Sequence, residues 1–154
     1  MTFDSSPRRR APLLAFVAAL ACGPALGAEP PLFNGRWLAD DPEQAQGPYA
    51  VLAIDDATLS WRPPKRSAPT CTRRFELHKE RPGTVYVDGR GKKFVAGVPG
   101  SIPTYLLKLG DGTCGNPADA VRISFPLIYD RRHIEFIEYV GGKPVSVQRL
   151  HRKK

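Results

Sequence analysis

Residues 133–150 read His-Ile-Glu-Phe-Ile-Glu-Tyr-Val, then Gly141-Gly142, then Lys-Pro-Val-Ser-Val-Gln-Arg-Leu. Two runs rich in β-branched and aromatic residues flank a Gly-Gly pair. Such side chains fit a pleated surface, and glycine reaches the positive φ that a two-residue hairpin turn requires. The stretch predicts an antiparallel hairpin, and the rest of the chain reads as further strands added to it.

Working backwards, Ala120–Tyr129 alternates, with Val121, Ile123, Phe125, Leu127 and Tyr129 opposed to Arg122 and Ser124. Pro126 cannot donate to a ladder, so this strand is expected at an edge or bulged there. Ser101–Leu109 is a strand candidate, followed by a loop carrying Cys114. Thr84–Val87 and Lys92–Val98 read as a hairpin. Thr70–Glu80 puts Cys71, Arg73, Phe75 and Leu77 on one side and Arg74, Glu76, His78 and Glu80 on the other. Thr58–Trp61 places Leu59 and Trp61 on one face, and Tyr49–Ile54 and Leu32–Leu38 complete the set. Arg62–Pro69 is an extended basic loop with three prolines, and His151–Lys154 is a basic tail expected to fray.

The composition agrees, since Pro 16 and Gly 14 in 154 residues favour short strands and turns over helices. The expected fold is all-β, about eight strands in a small up-and-down antiparallel barrel or a compact sandwich, because both use short alternating strands. One domain, 29–154, accommodates them.

Residues 1–28 are read as a cleaved secretory signal peptide. Arg8-Arg9-Arg10 is a basic n-region, Ala11–Ala21 is an apolar run too short to span a bilayer, and Ala25-Leu26-Gly27-Ala28 offers small residues for cleavage. Removal takes away three arginines and Asp4 and lowers the formal net charge from +8 to +6. The expected location is periplasmic or secreted. Cys22 follows Ala-Leu-Ala, a loose lipobox, so lipid anchoring through Cys22 is the alternative to its loss with the peptide. The two remaining cysteines, Cys71 and Cys114, form an even pair in an exported chain and are expected to be a disulfide.

Phe33-Asn34-Gly35-Arg36-Trp37 resembles the Phe-x-Gly-x-Trp start of the lipocalin and fatty-acid-binding families, the calycin-type barrels. The resemblance implies that Gly35 lets the first strand bend and that Trp37 plugs one barrel end. It also implies that a basic side chain from the last strand, Arg149, packs across the indole. It further implies a lumen for a small apolar or amphipathic ligand, for which Trp61, Phe94, Tyr105 and Phe125 are the candidate lining. The match spans five residues, and the later lipocalin motifs and C-terminal helix are absent.

Catalytic and metal motifs do not stand out. His78, His133 and His151 are not at metal-ligand spacing, so no metal site is expected. No Gly-x-Ser-x-Gly elbow occurs, and Glu135 and Glu138 have opposite strand parity, so neither a hydrolase triad nor a carboxylate couple is indicated. The glycine-rich pieces are turns without a following helix, so no nucleotide cofactor is expected. Basic residues cluster at Arg62, Lys65, Arg66, Arg73 and Arg74, and again at Arg149, Arg152, Lys153 and Lys154. In an exported protein these suit an anionic envelope component better than nucleic acid. The expected function is non-enzymatic binding of a small apolar or amphipathic ligand. The alternative is a protein-binding or inhibitory module of the envelope acting through its basic loops.

Overall fold

The computed structural model describes residues 30–40, 50–62, 70–88, 90–97, 104–115, 117–126 and 130–154. The signal-peptide reading, Cys22, and Lys65 and Arg66 in the proline-rich basic loop lie outside the described residues. Ten strands form among the described residues: β1 Gly35–Ala39, β2 Val51–Ile54, β3 Thr58–Arg62, β4 Cys71–His78, β5 Val85–Val87, β6 Lys93–Val95, β7 Thr104–Gly112, β8 Ala120–Ser124, β9 His133–Val140 and β10 Lys143–Arg152. Eight of them close into a barrel in the order β1-β10-β9-β8-β7-β4-β3-β2, every pair antiparallel. β1 pairs with both β2 and β10, which decides the barrel over the sandwich. β5 and β6 form a separate hairpin inserted between β4 and β7.

The β9–β10 hairpin turns at Gly141 and Gly142, whose φ values of 56° and 77° are the two positive angles that a primed turn demands. Beyond the turn the ladder does not run straight. Lys143 faces Val140 and Pro144 faces Tyr139, but Ser146 faces Glu138, so a bulge lies between Pro144 and Ser146. Proline brings no N–H to the ladder, which makes this the weak point where an extra residue enters. A one-residue slip turns every later side chain to the opposite face. A ladder continued without a bulge from the Lys143–Val140 pair would put Val145, Val147 and Arg149 inside. The bulge instead turns Ser146, Gln148, Leu150 and Arg152 inward, opposite Glu138, Phe136 and Ile134, and leaves Val145 57% exposed.

The interior is filled by rings. Trp61 meets Phe136 edge-on at 4.8 Å, Phe33 meets Tyr105 at 4.9 Å and Phe75 at 6.2 Å, and Trp37 meets Phe125 at 6.4 Å. These spacings are those of favourable aromatic pairs. Leu52, Leu59, Leu107, Ile123 and Leu150 occupy the space between them.

β9 is buried on both faces from Ile134 to Tyr139. Its inner residues meet the core, and its outer face lies against the β5–β6 hairpin. Arg122, pointing out from β8, makes a two-pronged ion pair with Glu80, both contacts 2.6 Å, and stacks 3.9 Å from the Tyr86 ring. Burial works against the Arg122 charge, and Glu80 together with Tyr139 more than offsets it, so its pKa is raised. The Tyr139 hydroxyl donates to the Val87 carbonyl at 2.9 Å. At the hairpin tip, burial alone raises the Asp88 carboxyl, but the backbone N–H groups of Lys92 and Arg90 and the Arg90 guanidinium hold it below its ordinary range. Arg90 also reaches Glu135 at 2.6 Å and so ties the tip to β9.

Several expectations change. β8 ends at Ser124, so Pro126 stands beyond the strand rather than within an edge or bulge. The C-terminal segment does not fray at His151, because β10 runs to Arg152 against β1. Leu77 shares its side of β4 with Phe75 but is half exposed, because it stands near the end of the strand on an open cleft.

Cys71 and Cys114 form the expected disulfide, with Cα atoms 4.8 Å apart across 43 residues of chain. It ties the start of β4 to the loop after β7. The native protein is expected to resist alkylation at both cysteines without reductant. The double variant Cys71→Ser/Cys114→Ser is expected to lose about 2–4 kcal/mol in urea unfolding, close to what closure of a loop this long contributes.

Candidate functional site

The two barrel ends are built differently. At one end Phe33 and Trp37 are fully buried, and the Trp37 indole N–H donates to the Phe33 carbonyl at 2.9 Å. Arg152 lies across the indole, its guanidinium carbon 4.5 Å from the ring centroid. Its two terminal nitrogens donate to the carbonyls of Asn34 (3.0 Å) and Leu32 (2.6 Å). The basic side chain over Trp37 is therefore Arg152, not Arg149. The β10 bulge puts Arg149 on the outer face, where it pairs with Glu135 at 3.4 Å. Gly35, with φ 135°, passes directly beneath: a Cβ there would lie 2.8 Å from an Arg152 terminal nitrogen. This end is closed.

At the other end, where β9 passes into β10, the inward positions turn polar. Glu138 is buried and points inward, since its register partner on β8 is the core residue Val121. The Ser146 hydroxyl donates to its carboxylate. Gln148, the next inward position of β10, has its Oε1 buried with no hydrogen-bond partner. A buried acceptor without a donor costs about 1–3 kcal/mol. Trp61 stands on the same rim, paired in register with Cys71 of the disulfide. Val140, at the end of β9, and Val145, in the bulge, are exposed beside the turn.

The residues singled out for ligand binding separate accordingly. Trp61 and Phe125 are core residues inside the barrel, and Tyr105 packs against that core from the closed end. Burial raises the Tyr105 hydroxyl above its ordinary range. Phe94 is not in the barrel. It stacks on Tyr86 in the outer hairpin at 5.5 Å, with the Lys92 ammonium 5.1 Å from its ring centroid. Leu77, Ala96 and Tyr105 line an open cleft of about 330 Å3 beside the hairpin. Sequence reasoning missed Glu138, Ser146 and Gln148. The carboxylate at the inward parity of Ile134 and Phe136 was the available signal for Glu138. Ser146 and Gln148 had none, because the bulge sets their side.

Comparison with protein-family models, with curated proteins and with solved structures returns no match.

Proposed function

We propose that this chain is an exported, non-enzymatic binding module of the cell envelope, engaging a protein partner through the barrel end where β9 turns into β10. The observation that carries the reading is the bulge at Pro144. It places Ser146 and Gln148 inside and Val145 outside, the reverse of what burial favours, and local rules are broken in this way chiefly where a surface serves binding. Exposed Val140 and Val145 beside buried acceptors give the mixture of apolar rim and polar anchor that suits a protein side chain. The aromatic rings that fill the middle of the barrel favour this reading over a lumen carrier. Export is supported by the residue pattern before Glu29 and by the disulfide, which persists in oxidising compartments. The closed eight-stranded meander, with Gly35 and Trp37 beneath a basic side chain from the last strand, supports kinship with calycin-type barrels.

Photo-crosslinking in the native envelope tests the proposal. A benzophenone side chain at Val140 or Val145 is expected to give one discrete protein adduct, and one at Leu77, equally exposed at the other end, is expected to give none. Gln148→Leu is expected to gain up to about 1 kcal/mol of stability by removing the unpaired acceptor, while weakening the adduct at Val145. The absence of adducts at Val140 and Val145, with a small molecule retained in native mass spectra and lost on denaturation, would return the function to ligand carriage.

A further inference from the structure

We propose that His133 and His151 form a transition-metal site on the outer wall of the barrel, suited to copper(II) and, more weakly, zinc. The two residues are 18 positions apart in sequence, and the bulged register sets them directly opposite each other on β9 and β10. Their neighbours Ile134 and Leu150 are core residues, so both imidazoles point outward. The Arg152 N–H donates to the Arg132 carbonyl at 2.7 Å, which makes that pair the hydrogen-bonded kind. The histidine pair is then the closer, non-hydrogen-bonded kind, with Cα atoms about 4.5 Å apart. Side chains at that spacing can converge their outer nitrogens to the roughly 3 Å that two metal bonds of about 2.0–2.1 Å require.

The second observation is orientation. His133 Nδ1 lies 2.7 Å from an Asp130 oxygen, and His151 Nδ1 lies 2.9 Å from an Asp40 oxygen. A carboxylate accepts, so each Nδ1 carries the hydrogen, and in the neutral imidazole that leaves the Nε2 lone pair for a metal. This carboxylate–imidazole arrangement is the one that fixes tautomer and ring plane in metal sites. The aspartates come from separate segments, Asp130 from the turn before β9 and Asp40 from the end of β1. Asp130 is itself held by the Arg132 N–H at 2.8 Å. The nearby cations Arg132 and Arg149 are paired with Asp130 and Glu135. No group of three or more histidine, cysteine or carboxylate ligands occurs among the described residues. The site therefore offers two imidazoles, with water completing the coordination. Imidazole pairs bind copper(II) above zinc in the usual order of divalent affinities.

The test uses the untagged full chain titrated with copper(II) chloride. One copper per chain is expected by calorimetry, with a two-imidazole signature in pulsed electron paramagnetic resonance. His133→Gln and His151→Gln are each expected to lower affinity at least ten-fold and to leave a single imidazole, while His78→Gln changes neither. Asp40→Asn and Asp130→Asn are expected to weaken binding about 10–100-fold with both imidazoles retained. No saturable binding, a single-imidazole signal in the unmodified protein, or affinity indifferent to His133 or His151 would overturn the assignment. Both histidines are half-buried on the outer wall, and circular dichroism of the variants checks that any loss is local.

Discussion

Arg122→Leu is expected to destabilise the protein by about 3–5 kcal/mol, because removing one partner of a buried ion pair strands the other. Glu80 is only 10% exposed, and its carboxylate takes both of its short contacts from Arg122. The same guanidinium lies on Tyr86 and donates to the Thr104 hydroxyl at 3.2 Å, so one substitution loosens the hairpin, the end of β4 and the start of β7 together. Denaturant unfolding measures the total. Hydrogen exchange localises it, and the amides of β5 and β6 are expected to lose protection before those of β8 and β9. The pair Arg122→Leu/Glu80→Leu is expected to recover most of the loss, since two apolar side chains leave no stranded charge. A cost under about 1 kcal/mol for Arg122→Leu would mean that the hairpin is held by the Tyr139–Val87 and Arg90–Glu135 contacts instead.

That hairpin marks where the sequence stops being legible. Period-two alternation located the strands, and the Gly141-Gly142 turn located the central pair. Alternation tells which residues share a side, but not which sheet a strand joins. Phe94 therefore reads as a lumen-type aromatic although it stacks on Tyr86 outside the barrel. The signal for an outer layer was present in β9, where Ile137 and Tyr139 are apolar at outward positions. An outward apolar pair on a central strand needs a cover, and the hairpin supplies it. The apolar interior was legible at Trp61 and Phe125, whose parity matches their burial in the core. The polar half was not. Two-residue turn geometry pairs His133 with Leu150, and only the bulge pairs it with His151. Ser146, Gln148, the histidine pair and the arginine over Trp37 all follow from that one inserted residue.

The arginine assignment gives the sharpest test of the register. Arg152→Met is expected to cost about 2–3 kcal/mol, from a cation–π contact and two charge-assisted bonds to part-buried carbonyls. Arg149→Met, which loses one exposed contact to Glu135, is expected to cost under about 1 kcal/mol. If the bulge were absent, Arg149 would lie inside and the two costs would exchange. Gly35→Ala approaches the same contact from below. At φ 135° an alanine is strained by about 1–3 kcal/mol on its own. Its Cβ also meets the end of the Arg152 side chain, so the further cost is whatever the guanidinium gives up by moving off Trp37, Leu32 and Asn34. The combined loss is expected near 2–4 kcal/mol. The two substitutions share that second part, so Gly35→Ala/Arg152→Met is expected to cost clearly less than the sum of the single variants. Strict additivity would place Arg152 away from Gly35, and the closure of the barrel over Trp37 would then need a different side chain.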